Sequence, residues 1–413
     1  MAAASKELFS GEKSESHLGP LLGHVDHQTA MIWFRPSRPG QYVAVVTDTK
    51  TGRSSSMAAE ALDDHDLCMT WRFDGLDADS EYTYQITHQD RPIAVAEHQK
   101  IRTAPEPQKS ARTVLAAGSC ASSSDFFDVW SKIDEQQIDG LMLLGDTPYI
   151  DNQQLSVNRM RHREFIAIPT LSQLGAYTPI WGTWDDHDFG GNDTDGKVAN
   201  KEVIRKVFCE YRAQTNYGDG EHGVYTKFRR GPIEVFMLDP RYFSQTEPSP
   251  VDAKRPTCLG KKQWSWLLDN LKQSTAPFKV LATGMIWDDK KNGEKDDWGT
   301  YAHEREAIFD FIGKEKIRGV VLLGGDIHVS RHLQYPMEER IGYDLHQFII
   351  SPLHDRVIPS LNVPHPHLKW GKPLKNMFLT LTADATQGQP TLDAKWIDRH
   401  GELHRHVHIA LAD

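Results

Sequence analysis

Four short stretches of this chain join a small residue or a turn to side chains that can hold a metal ion. They are Gly118-Ser119-Cys120, Gly145-Asp146-Thr147-Pro148-Tyr149, Trp184-Asp185-Asp186-His187-Asp188 and Gly325-Asp326-Ile327-His328. Thiol, carboxylate and imidazole are the common donors to bound metals. Taken singly, each signal has a plainer meaning. A Gly-Asp after an apolar run serves equally as a turn or a helix cap. Asp185, Asp186 and Asp188 can form a solvated acidic loop, and His328 can be a hydrogen-bonded core histidine. Four such endings in one chain carry more weight. Carboxylates gathered at strand ends repel one another, and a multivalent cation between them is the usual remedy.

The elements that must position these groups are strands alternating with helices. TVLAAGS, GLMLLG, IWGTW, IEVFML, KVLATG and GVVLLGG are short apolar runs of strand length. FFDVWSKIDEQQ, KEVIRKVFCEYRAQ, KKQWSWLLDNLKQ and HEREAIFDFIGKEK, with helical spacing of apolar residues, lie between them. This order predicts an α/β sheet covered by helices, with the metal-capable residues just beyond the strand carboxyl ends, where open α/β sheets bind ligands. The last sixty or so residues return to strand character, closing with LDAKWID and LHRHVHIAL around a turn at His400-Gly401. In that hairpin His404, His406 and His408 alternate, which puts them on one strand face; a solvated stripe is the reading preferred over a metal bridge.

Upstream, residues 18–103 read as an all-β unit of short strands with Pro, Gly and Ser punctuation. The stretch FDGLDADSEYTYQ, with Tyr82 and Tyr84 opening a strand, resembles the tyrosine corner of fibronectin- or Ig-like sandwiches. Residues 1–17 are assigned to a tail, 104–111 to a polar linker, and 112–413 to the catalytic unit with its β extension. A length of 413 residues favours two units over one core.

The net charge of −10 argues against a stable nucleic-acid partner, which would need a basic face. No apolar run reaches the length of a transmembrane helix. Four cysteines are too few for a disulfide framework, and Cys68, Cys209 and Cys258 read as idle or buried thiols. The first residues lack the order of a secretory signal, so the expected location is the cytoplasm, or the periplasm or exterior if a leader has been removed.

The ordered set GSC, GDTPY, TWDDHD, LDPR and GGDIH, over roughly residues 111 to 350, resembles the PhoD-type alkaline phosphatases of the calcineurin-like metallophosphoesterase superfamily. The resemblance implies a four-layer α/β/β/α sandwich preceded by a small β-sandwich. It implies Cys120, Asp146, Tyr149, Asp186, Asn192, Asp326 and His328 as metal ligands, with Asp146 shared between ions. His187 would be the general acid or phosphate contact. A thiolate and phenolate suit Fe3+, and carboxylates suit Ca2+, with Mn2+, Mg2+ or Zn2+ as alternatives. The superfamily's fourth motif carries a histidine where this chain has ATGMIWDD, which leaves Asp288 or water as candidates to complete a coordination sphere.

Arg241, in LDPRYF after an apolar strand, is placed for bidentate contact with phosphate; a salt bridge with Asp239 or Glu234 is the other reading. Trp298 and Tyr301 are read as packing residues, and Ser119 as a turn residue in preference to a phosphoserine nucleophile. The activity implied is hydrolysis of small-molecule phosphate esters, mono- and diesters, by metal-activated hydroxide. A phospholipase D-like phosphodiesterase is the enzymatic alternative, and a non-catalytic binding protein on a degenerate phosphatase scaffold is the alternative of another class.

Overall fold

The computed structural model of the chain describes residues 17–93, 99–123 and 128–411. The catalytic region is built on two mixed sheets. The first, of six strands, runs in the order Ile180–Thr183, Gly140–Leu144, Arg112–Gly118, Met377–Asp384, Thr391–Asp398 and Leu403–Ala410. Its first three strands are parallel neighbours, and the C-terminal strands extend it antiparallel. The second, of seven strands, has Ile233–Met237, Phe278–Ala282, Val320–Gly324 and Leu345–Ile349 as its parallel centre.

Strand periodicity decides what each sheet face meets. Along Gly140–Leu144, Met142 and Leu144 enter the core between the sheets while Leu141 and Leu143 face the outer helices. The inter-sheet core also holds Leu115, Val235, Val280, Leu323 and Trp396, and Trp181 stacks on Phe228 across it at 3.8 Å. Outside the second sheet, Phe236, Leu281 and Leu322 pack under the helices Gly260–Gln273 and Ala302–Lys314. Helix, sheet, sheet and helix form the four layers that the resemblance implied. Strands buried on both faces explain why these segments read as continuous apolar runs with no polar alternation.

The N-terminal strands form two antiparallel sheets, one of Leu18–Val25, Thr29–Arg35 and Met69–Asp74, the other centred on Gly40–Asp48 and Glu81–His88. Their shared core contains Ile32, Phe34, Trp71, Tyr82 and Ile86. The Tyr82 hydroxyl accepts the Asp77 N–H at 2.7 Å, the upstream backbone bond of a tyrosine corner. Tyr84 does something else. Its hydroxyl donates to the Ala176 carbonyl at 2.6 Å, and the Trp33 indole donates to the Glu210 carbonyl at 2.7 Å, so the sandwich is fastened to the C-terminal ends of the helices Pro169–Gly175 and Lys201–Glu210. Among the described residues no helix is long and apolar enough to cross a membrane.

Candidate metal centre

Every parallel strand named above ends at one edge of the two sheets, and the polar residues that follow converge there. Cys120, Asp146, Asp326 and His328 all adopt left-handed backbone, with φ of 55°, 52°, 68° and 52°. Left-handed φ is uncommon outside glycine, and four instances at one edge mark a locality where backbone strain is held for a purpose. Gly284 shows how tightly the edge is packed: a Cβ there would lie 2.5 Å from the Asp185 carboxyl carbon.

Ligand atoms of Cys120, Asp146 and His328 lie within 4.8 Å of one another, as do those of Asp146, Asp186 and His187. Asp146 thus belongs to two adjacent groups. The Cys120 thiol, fully buried, receives a hydrogen bond from the Ser351 hydroxyl at 3.1 Å and faces the Asp146 carboxylate at 3.5 Å. The Tyr149 hydroxyl lies 2.7 Å from Nε2 of His328 and 3.2 Å from Nε2 of His354. Ser351 also accepts the His328 backbone N–H at 3.0 Å, so one hydroxyl holds both the thiol and the backbone of His328. The Ser119 hydroxyl donates to the Ile350 carbonyl at 2.8 Å, consistent with a turn residue.

The electrostatics of this half describe a site that needs positive charge. Burial, and then the Asp146 carboxylate, push the Cys120 thiol well up. Burial, with Asp186 and Asp185 next, pushes Asp146 far above the carboxylate range, and burial followed by Cys120 and Asp146 raises Tyr149. Burial holds His328 down at about 4, leaving a neutral imidazole whose Nδ1 is buried without a hydrogen-bond partner. A neutral imidazole, an orphaned ring nitrogen and acids that burial alone would keep protonated are the donor set a metal ion organises. The residues fit the group.

Two further groups are made of carboxylates alone: Asp185, Asp186 and Asp326, and Asp186, Asp193 and Asp296. Here the chain supplies cations. The Arg241 guanidinium donates to Asp185 through Nε at 2.6 Å and lies 3.4 Å from Asp296. The Lys290 ammonium lies 2.7 Å from Asp326 and 2.8 Å from Asp296. Asp185 Oδ2 and Asp296 Oδ1 remain without hydrogen-bond partners. Asp185 also caps the short helix Asp186–Phe189 through a reciprocal box with Asp188, which turns Asp186 and His187 toward Asp146.

Two expectations need correction, those on Arg241 and Asp288. Arg241, expected against phosphate, is 1% exposed and enclosed by Asp185 and Asp296, so it acts on carboxylates behind the crevice. Its alternative salt-bridge partners are also not those expected: Asp239 binds the Arg241 backbone N–H, and Glu234 pairs with Lys227. Asn192 is exposed in the turn that follows the helix Asp186–Phe189. The turn places the Asp193 N–H on Asp186 at 2.8 Å, and Asp193 is the residue that joins a group. Asp288 turns away to Tyr335 at 3.0 Å and His365 at 2.8 Å.

His187 is steered by Asp151, whose Oδ1 lies 2.5 Å from Nδ1. Asp151, His354, Ser351, Lys290 and Asp296 were not singled out in the sequence. His354 and Ser351 follow Leu345–Ile349, a strand ending like the other four, and the strand-end rule would have found them had that strand been recognised. Lys290 comes from an irregular loop and carries no such signal, whereas Asp296 opens DDWGTYAHERE, a stretch that resembles a family segment near the pocket. Trp298 packs at 4.4 Å on Trp287, and Tyr301 is buried, as expected of core residues. His406 and His408 share Asp393, and His404 pairs with Asp398.

Comparison with known proteins agrees with this architecture. The family model for the PhoD-like phosphatases matches residues 115–403, and a domain of unknown function (DUF7800) matches residues 13–106. Alkaline phosphatase D of Bacillus subtilis (strain 168) is 25% identical over 311 residues, covering 62% of this chain and 52% of that protein. The chain therefore spans about half the length of that relative. A solved structure of PhoD superposes with a TM-score of 0.77 at 19% identity, over 95% of this chain and 88% of that one. The purple acid phosphatase PPD1 of yellow lupin (Lupinus luteus) superposes with a TM-score of 0.69 at 11% identity, over 96% and 74% of the two chains. With the family model covering well over half of its length, the chain belongs to the PhoD-like phosphatase family.

Proposed function

We propose that the chain hydrolyses phosphate esters at the crevice where Cys120, Asp146, Tyr149, Asp186, Asp326 and His328 meet. The observation that carries this reading is Asp146 shared by two adjacent ligand groups, one containing Cys120 and His328, the other Asp186 and His187. Residues from several strand ends, far apart along the chain, supply them. Metal ions bound there would supply Lewis acidity toward the phosphate oxygens and lower the pKa of water, so that a nucleophile exists near neutral pH. A thiol donor beside Tyr149 favours iron for one position, and the carboxylates favour calcium or manganese for the other.

The chain's own groups have separable tasks. Ser351 holds the thiol and the His328 backbone, which fixes the Cys120–His328 geometry before any ligand arrives. His187 stands beside Asp146 and Asp186 with its Nδ1 held by Asp151, which leaves Nε2 to carry a proton to the leaving oxygen. Arg241 keeps Asp185 in place, and Asp185 in turn starts the helix that bears Asp186 and His187. A cavity of about 470 Å3 opens beside Tyr149 and Asp151, with Arg161, His354, Arg356 and Asn376 in its walls. It offers room and positive charge for the remainder of an anionic ester. The cavity's size suits a diester as well as a monoester.

The test is chelation of the purified protein followed by reconstitution with defined metals, assayed on p-nitrophenyl phosphate and bis-p-nitrophenyl phosphate. Activity lost on chelation and restored by metal supports the reading, and the ratio of the two rates assigns the ester class. Activity on both esters that ignores thorough metal removal would sink it.

A further inference from the structure

The loop after the strand Phe278–Ala282 departs from the superfamily pattern by lacking a histidine, and the fold shows why none sits at Gly284. The backbone there runs so close to Asp185 that a Cβ would meet its carboxyl carbon at 2.5 Å. A residue further along the same loop reaches the crevice instead. Lys290 is 4% exposed, and its ammonium contacts Asp326 at 2.7 Å, Asp296 at 2.8 Å and Glu294 at 3.3 Å. The ammonium donates hydrogen bonds to Asp296 and Glu294 and pairs by charge with Asp326, whose Oδ2 has no hydrogen-bond partner. The loop that carries it is fixed. Asp297 accepts the Lys290 N–H at 2.7 Å and the Thr300 N–H at 2.9 Å, Trp298 donates to the Ile286 carbonyl at 3.1 Å, and Trp287 and Trp298 stack.

We propose that Lys290 is a resident cation, its ammonium taking the place of a metal ion in the carboxylate pocket of Asp296 and Asp326 and so limiting metal ions to the two groups that share Asp146. This rests on the metal-dependent reading above. Lys290 and Arg241 enclose Asp296 between them, so the all-carboxylate half already holds two positive charges that no dialysis removes. A divalent ion entering there would have to displace the ammonium or bear its repulsion at close range. Among the described residues no Lys or Arg pairs with Cys120, Asp146 or His328, and these groups are left for external ions. Lys290 is thereby a positioning residue, setting ion stoichiometry and holding Asp326 in place.

The experiment is elemental analysis of the full chain after equilibration with calcium, for the unsubstituted protein, Lys290→Met and Lys290→Arg, with thermal unfolding in the presence and absence of calcium. Lys290→Met is expected to retain one calcium more than the unsubstituted chain. Its Tm, lowered without calcium, should rise by on the order of several degrees with it. Lys290→Arg, which keeps the charge, should match the unsubstituted chain in both measurements. If Lys290→Met folds only with calcium, recovery of folded protein by calcium reads the same effect. The proposal is overturned if Lys290→Met keeps the original ion count and calcium response, or stays unfolded with calcium, or if its only change is a raised KM, which would make Lys290 a substrate contact. An unsubstituted protein that is active with no metal at all would instead refute the metal-dependent reading itself.

Discussion

Asp146 and Asp296 are both buried, yet their carboxyls are displaced in opposite directions. Burial raises Asp146 far above its ordinary range, and the neighbouring Asp186, Asp185 and Asp188 raise it further. Burial acts on Asp296 in the same sense, but Arg241 and Lys290 overcome it and hold that carboxyl below its ordinary value. The difference is the charge of the partners. One half of the crevice carries its own counterions, with Arg241 and Lys290 themselves pushed up against the effect of burial by the carboxylates they touch. The other half, around Cys120 and Asp146, has no Lys or Arg ion pair among the described residues, which is why the proposed function has external ions complete it.

The largest effect that could break this comparison is expected from Cys120→Ala. Loss of the thiol should lower the content of the ion held with Asp146 and His328 and reduce ester hydrolysis by at least about 100-fold, measured by elemental analysis and phosphate release. Full ion content and full rate would mean that the Cys120 half is not a metal site. Next comes Arg241→Met, which leaves Asp185 and Asp296 buried with one cation fewer. Removing one partner of a buried pair costs about 3–5 kcal/mol, and urea unfolding should show a loss of that order. A loss under about 1 kcal/mol would show that water or an ion already compensates those carboxylates.

A pH series sharpens the contrast further. In the ion-free protein burial raises Asp188 to about 7 against hydrogen bonds from the Asp185 and Thr147 backbone, and burial, with Asp186 and Asp185 next, raises Asp146 well above the ordinary carboxylate value. A raised carboxyl binds more protons folded than unfolded, so its stabilising contribution is full below about pH 4 and is lost as pH rises through 7. Bound ions remove that repulsion. The Tm decrease on chelation should therefore be larger at pH 8 than at pH 5, and an equal decrease at both would show that ion binding is not coupled to these carboxyls. The smallest effect belongs to Tyr84→Phe, which deletes the bond from the sandwich to Ala176 at the end of the helix Pro169–Gly175. It should cost about 1 kcal/mol in thermal or urea unfolding with ion content unchanged. A parallel loss of ions would mean that the sandwich helps to shape the centre.

Much of the catalytic framework was legible in the amino-acid order. Runs such as GLMLLG and GVVLLGG read as short strands, and the structure buries them on both faces, with the glycines and acids after them at the edge where ligands collect. Cys120, Asp146, Asp186 and His328 are found at that edge for this reason. Less legible were residues whose role depends on an irregular path. Ser351 and His354 follow Leu345–Ile349, a strand that the apolar runs do not mark, and Asp193, exposed like Asn192 beside it, joins Asp186 and Asp296 only through the path of the turn.

By itself the sequence determined the donor types, their order along the chain and the layered framework, because periodicity and strand-end chemistry are local properties. Only the tertiary structure decided which charges are already neutralised. Arg241 and Lys290 are 49 residues apart in the chain and both meet Asp296, and nothing in either local stretch records that encounter. Charge compensation in a buried site is a matter of distances of a few ångströms in a low-dielectric medium, and those distances exist only once the strand ends are brought together.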